Sequence, residues 1–246
     1  MIPWHSSPPK PKHNLFDMKN LIQKAIRRRN PSFSFDPELG NVALCSFIWT
    51  QCWGLLRGLK LLFLFKNPKM AILGKQVSFF NTPKIIFGRF LKLGNDVHIS
   101  ALGKQGVSMG DNVSIGAFSR VVVSTSFNHL GEYIKIGNNV GMGEYAYLGG
   151  AGGLEIGDDC IIGQYFSCHP ENHIAADLDT AIRHQGVSRK GIKIGKNCWI
   201  GSKVTILDGV EVGNGCIIAA GAVVNKSFPE NSIIGGVPAK LLNSRI

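Results

Sequence analysis

The stretch Ile194–Val224, IGKNCWIGSKVTILDGVEVGNGCIIAAGAVV, carries an aliphatic residue at every sixth position: Ile194, Ile200, Ile206, Val212, Ile218 and Val224. A period of six matches neither a helix nor a lone strand; it is what short strands give when a turn follows each of them. Three such strands close one coil of 18 residues. Gly or Ala follows the aliphatic residue at Gly195, Gly201, Gly213 and Ala219, where a tight corner leaves little space for a side chain. The stretch therefore predicts an all-β solenoid, a parallel β-helix.

Working upstream, the same signature recurs as Leu93-Gly94, Met109-Gly110, Ile136-Gly137 and Ile156-Gly157, with further anchors at Ile115, Met142 and Ile162. The repeat is expected over residues 71–235. The leading glycines are 16, 27, 20, 38 and 18 residues apart, so whole coils are interrupted by additions at a few places. Cys160, Cys198, Cys216 and Ala222 each lie four residues after an anchor, which makes them small inward-facing positions rather than reactive groups. Pro229 and Pro238 end the pattern, and residues 236–246 read as a cap over the open end. The general rule for parallel crossovers predicts a right-handed coil.

Working toward the N-terminus, residues 1–70 form a different region. They hold 11 Lys or Arg against 3 acidic residues, most of the chain's formal charge of +11. Residues 14–29 are a short helical candidate ending in three arginines. Residues 42–65 are mostly apolar, interrupted by Gln51, Gly54, Arg57, Gly58 and Lys60. Those interruptions favour a helix lying in a membrane interface over one that crosses it, and a helix packed on the body of the protein is the alternative. No zinc-finger spacing or aromatic RNA-binding signature accompanies the basic residues, so nucleic acid is not expected as a partner. No cysteine pair has C-x-x-C spacing and no secretory signal opens the chain, so cytoplasmic residence is expected, with peripheral contact at the inner membrane face.

The longest interval, from Gly157 to Gly195, contains one coil and about 20 residues without the hexad pattern, from Ile174 to Lys193. At its root lie Cys168, His169, Pro170, Glu171, Asn172 and His173. A His of near-neutral pKa at the junction of a rigid coil and a mobile loop suits a general base.

The segments IGKNCWIGS, VGNGCIIAAGAVV and GGVPAK resemble the hexapeptide-repeat acyltransferases over residues 85–243, and most closely the galactoside and maltose O-acetyltransferases and the O-acetyltransferases of bacterial surface polysaccharides. The resemblance implies a left-handed β-helix, a homotrimer with active sites between subunits, and acetyl-CoA as donor. His173 falls 16 residues after the leading Gly157, as the catalytic His of that family does, which favours it as the base over His169; Glu171 or His169 would orient the imidazole or the acceptor. The resemblance further assigns Trp199, Ser202 and Ala220 to the pantetheine groove, and Lys226 and Lys240 to the coenzyme A phosphates. Asn225 and Asn243 depart from the Thr and Arg of the galactoside branch. That branch's acceptor-binding Asn and Asp correspond to Gly143 and Ala151, so the acceptor is not inherited, and Glu144 and Tyr145 are the nearby substitutes.

Acceptor-hydroxyl acetylation of a sugar or surface glycan is the expected reaction, with amino-sugar N-acetylation as its rival. A γ-type carbonic anhydrase would need three histidines with adjacent-coil spacing, and the seven present show none; no metal is expected. A non-catalytic scaffold is opposed by the presence of His173, Trp199 and the Lys226 region.

Overall fold

A computed structural model describes residues 15–27 and 31–245. The chain divides into two compact units, residues 1–52 and 53–246. In the first, helix α1 (Leu15–Arg27) accounts for the described part of the helical candidate; residues 14 and 28–29 lie outside the described residues. Lys19 Nζ donates to the Leu39 carbonyl at 2.5 Å, and Gln23 Oε1 accepts from the Phe35 amide at 2.9 Å, so the following segment folds back along α1. Helix α2 (Asn41–Gly58) starts in this unit and ends in the second, where α3 (Lys60–Phe63) follows. Among the described residues no helix is long and apolar enough to cross a membrane.

The second unit is a three-sided parallel β-helix. Each side is a sheet of two- or three-residue strands stacked coil upon coil. Ile162, Ile200, Ile218 and Ile234 stand in register on the first side. Leu148, Cys168, Ile206 and Val224 do so on the second. Ile136, Ile156, Ile194 and Val212 form the third. All six anchors of the opening stretch are buried, as are Cys160, Cys198, Cys216 and Ala222, and one continuous apolar core fills the coils. That core supplies the main stabilisation, since two-residue strands are too short to hold together alone.

At the edge between the third and first sides the glycines are obligatory. A Cβ on Gly157 would sit 2.8 Å from the Gly195 carbonyl carbon, and one on Gly195 only 2.6 Å from the Asn214 amide nitrogen. The edge between the first and second sides carries its own glycine column, and this corrects one reading of the spacing. Leu93-Gly94 belongs to the first side, where Leu93 pairs with Ile115, whereas Met109-Gly110 belongs to the third. The interval of 16 thus spans two different edges; the true partner of Met109 one coil below is Phe87.

The irregular lengths have one location. From first to second side and from third to first side the anchors are always six residues apart, for instance Ile162 to Cys168 and Ile156 to Ile162. From second to third side they are six apart only in the coil of Ile206 and Val212; they are 10 apart from Ile99 to Met109, 15 from Val121 to Ile136, and 26 from Cys168 to Ile194. Every insertion therefore leaves and re-enters at the same edge of the prism. At the C-terminal end, Ser232–Gly235 pairs antiparallel with Lys240–Ser244, which gives the expected cap a strand of its own.

Candidate active site

The edge that carries the insertions also carries a cavity of about 320 Å³. Its floor is the end of the second side, with Val122, Tyr147 and His169 facing outward from successive strands. One wall is the insertion at Ser124–Ser126, the other the root of the long insertion at Glu171, His173 and Arg189. A rigid solenoid face thus meets two loops, a common setting for ligand sites.

His169 ends the strand Ser167–His169, which pairs with Thr205–Leu207, so its backbone is fixed by the sheet. Its ring stacks on Tyr147 with centroids 5.4 Å apart and planes 20° from parallel. Burial pushes its pKa below the usual imidazole value of 6.5, because the charged form loses hydration there. The ring is held toward its neutral, proton-accepting form.

His173 stands on a second element. Asn172–His173 pairs antiparallel with Val187–Ser188, so the long insertion is a hydrogen-bonded ribbon at its root and not the mobile, patternless loop expected from sequence. Its tip is also tied: Gln185 accepts from the Asp177 amide at 3.0 Å and donates to the carbonyls of Asp177 and Thr180. Where the ribbon rejoins the coil, Asp208 Oδ1 accepts from the amides of Lys190 and Gly191, both at 2.8 Å. The missed signal was local polarity: Asp177, Thr180, Gln185 and Asp208 provide the side-chain donors and acceptors that order such a segment.

Glu171 engages neither imidazole. Its Oε2 accepts from Arg189 Nε at 2.6 Å, while Arg189 Nη1 donates to the Leu130 carbonyl at 3.1 Å. Arg189 is the residue that sequence reasoning missed. Its link to Glu171 spans 18 positions through a turn, which no period reveals.

The other expected residues lie elsewhere. Glu144 and Tyr145 occupy the edge between the first and second sides and do not line the cavity; Tyr145 stacks between Phe118 and Tyr165 at 5.1 and 4.9 Å. Tyr147, two residues on, faces the cavity instead. Of the two positions that correspond to the galactoside branch's acceptor-binding Asn and Asp, Ala151 lines the cavity and Gly143 does not. Trp199 is exposed on the outer face of the first side, and Ser202 Oγ donates to Gln164 Oε1 at 2.8 Å on the neighbouring corner, where Ala220 is also exposed. Asn225, Lys226 and Lys240 are exposed; Lys226 Nζ lies 5.7 Å from the Phe228 ring centroid, and among the described residues neither lysine is in an ion pair. A single chain therefore gathers His169, His173 and Glu171 but leaves Trp199 on a different face. Among the described residues no three His, Cys, Asp or Glu side chains are placed to hold a metal ion.

Residues 191–226 match the family model described as bacterial transferase hexapeptide (six repeats). Those residues thus carry the hexapeptide repeat of that model, in keeping with the parallel β-helix of the fold. The crossover rule and the resemblance differ on the hand of the coil; the rule depends on strand twist, and strands of two or three residues accumulate little of it. Among relatives, the chain is 30% identical over 212 residues to a probable acetyltransferase, Rv3034c, of Mycobacterium tuberculosis, a match covering 84% of this chain and 61% of that protein. It is 28% identical over 155 residues to the putative lipopolysaccharide biosynthesis O-acetyl transferase WbbJ of Escherichia coli K12, covering 55% of this chain and 70% of the relative. Among solved structures it is similar to the hexapeptide-repeat acetyltransferase VCA0836 of Vibrio cholerae, determined with acetyl coenzyme A, at 26% identity and a TM-score of 0.38 over 65% of this chain and 70% of that one. The chain spans about three fifths of the length of the mycobacterial relative.

Proposed function

We propose that the protein is an acyl-CoA-dependent acyltransferase that moves an acetyl group onto a hydroxyl of a sugar or glycan. The observation that carries this reading is the presence of His169 and His173 in one cavity at the edge where the insertions emerge. In the proposed reaction His173 accepts the proton of the acceptor hydroxyl as its oxygen attacks the thioester carbonyl. The new carbon–oxygen bond forms and the carbon–sulfur bond breaks. The imidazolium then returns the proton to the leaving coenzyme A thiolate. His169, whose pKa is lowered by partial burial, stands on the floor beside Tyr147. A flat, outward Tyr147 suits contact with the apolar face of a sugar ring.

For the donor, Trp199, Ser202, Ala220, Asn225, Lys226 and Lys240 are the proposed contacts, with the two lysines pairing with phosphates. Their distance in the fold from the cavity is the reason that this reading includes a homotrimer, in which one subunit's Trp199 face meets another's histidine edge. Six unpaired cysteines accord with a reducing, cytoplasmic setting. The names of the Escherichia coli and Mycobacterium tuberculosis relatives support acetyl transfer as the reaction class.

The test is thiol release from acetyl-CoA with a panel of sugars and amino sugars, for the wild type and for His173→Ala and His169→Ala. Acceptor-dependent release that disappears in His173→Ala supports the reading. Loss confined to His169→Ala moves the base to the floor. Amine-only turnover converts the reaction to N-acetylation. Neither release nor coenzyme A binding by the wild type overturns it.

A further inference from the structure

The first coil of the solenoid is closed by a helical segment that is apolar on both of its faces. Inward, Leu61 is 1% exposed and joins the core, and Leu64 packs against it. The approach is close: a Cβ on Gly58 would sit 2.2 Å from the Ala71 carbonyl oxygen, and one on Gly54 would sit 2.5 Å from the Ile72 Cγ2 methyl. The glycines that break the apolar run in sequence are thus the positions that let the helix press on the coil. Packing against the body, however, uses only one side. Outward, Leu56, Leu59, Leu62, Phe63 and Phe65 are exposed, Phe63 and Phe65 at 86% and 97%. A helical segment that stays apolar on its free side needs a second apolar environment.

The charge around this face has one sign. Between Glu38 and Asp96 the chain has eight Lys or Arg and no acidic residue. Four of the cations flank the apolar face, and their side chains turn to backbone carbonyls: Arg57 to Leu73 at 2.8 Å, Lys60 to Val77, Lys66 to Pro83 at 3.4 Å, and Lys69 to Phe87 at 2.9 Å. None of the four is in an ion pair among the described residues. The carbonyls hold the cations at the rim, where burial lowers the Lys60 pKa and Lys69 acts at longer range on the Asp111 carboxylate.

We infer that this face, Leu56 to Phe65 with Arg57, Lys60, Lys66 and Lys69, docks the protein on an anionic lipid surface. Each competing occupant meets an objection. A second copy meeting the same face would bring four cations against four more, which opposes a two-fold contact. Nucleic acid would leave the leucines and phenylalanines exposed. A bilayer interface takes both groups at once: aromatic and aliphatic side chains enter the acyl boundary, and lysines meet the phosphates. The helices lie on such a surface and do not span it, in keeping with their length and hydropathy. The inference is independent of the reaction assigned to the cavity.

Flotation of the full chain with phosphatidylcholine vesicles, with and without a third of phosphatidylglycerol, tests it. The wild type is expected to float with the anionic vesicles, to remain behind with the neutral ones, and to be released by high salt. Phe63→Ser/Phe65→Ser should reduce flotation at least tenfold with an unchanged circular dichroism spectrum. Lys66→Glu/Lys69→Glu, at roughly fivefold for each cation lost, should reduce it by a similar factor and keeps the test valid if the aromatic variant folds poorly. Absence of wild-type binding, equal binding to neutral vesicles, or undiminished binding by both variants overturns the inference. So does a fall in oligomer size of the aromatic variant without loss of flotation, which would assign the face to a second copy.

Discussion

Arg189 and Glu171 are joined by a 2.6 Å contact between Nε and Oε2, and the same guanidinium reaches the Leu130 carbonyl at 3.1 Å. One side chain thereby ties together two insertions that leave the solenoid two coils apart. Both groups are partly screened from solvent, and a strained or missing partner would leave a half-buried charge. Arg189→Ala is expected to lower kcat/KM for the acceptor by about tenfold to a hundredfold through misplacement of the cavity wall. The exchange Glu171→Arg/Arg189→Glu should recover part of that loss. Steady-state kinetics on the two variants and the wild type checks this, and equal activity of Arg189→Ala and wild type would remove the clamp from the account.

The pH dependence follows from His169. Its folded pKa lies below 6.5 because burial disfavours the imidazolium. Between that folded value and 6.5 the unfolded chain binds more protons than the folded one, so stability rises with pH in this window and is constant above it. His98, lowered by burial and by the Arg120 charge, adds in the same direction. Urea midpoints should fall as pH drops below about 6.5, and less so in His169→Gln. A His169 ring titrating above 6.5 by NMR would reverse the sign.

Cysteine chemistry separates the two ends of the chain. Cys160, Cys168, Cys198 and Cys216 are buried in the core, whereas Cys45 and Cys52 are exposed. Burial also pushes the Cys168 thiol far above its ordinary range, which suppresses the reactive thiolate. An alkylating reagent under native conditions should label Cys45 and Cys52 rapidly and the other four only on unfolding. Mass spectrometry of the labelled peptides decides this, and fast labelling of Cys198 would be incompatible with the packed coil.

Gly195→Ala is expected to destabilise the protein by about 1–3 kcal/mol, because the added methyl would lie 2.6 Å from the Asn214 amide nitrogen in the next coil. Gly141→Ala, where an added Cβ meets nothing within 4 Å, is the matched control. Thermal melts of the pair report the difference directly, and equal melting temperatures would contradict the close stacking of coils.

The solenoid was legible in sequence because its coils are built from local repetition: Ile194, Ile200 and Ile206 mark three successive sides, and Cys160, Cys198 and Cys216 fit only as small inward residues. The misplacement of Leu93 beside Met109 arose because two edges carry glycine for the same steric reason, and a residue type cannot say which edge it lies on. The two histidines were legible from the break in the repeat. Tyr147 was within reach of the same counting, since it precedes the inward Leu148 and so must face outward. Arg189 was not, because its partners are set by how the ribbon returns. The choice of Glu144 and Tyr145 rested on proximity along the chain, and a corner separates them from the cavity.

Confinement of every insertion to a single edge has a consequence for how such a molecule can be altered. Two corners of each turn have fixed length, and their ladders depend on it. The third corner tolerates 0 to 20 extra residues without shifting any anchor out of register. Segments there can be exchanged between proteins like interchangeable tool heads on one handle. In the proposed reaction such an exchange would rewrite the choice of acceptor while the handle keeps its own stability.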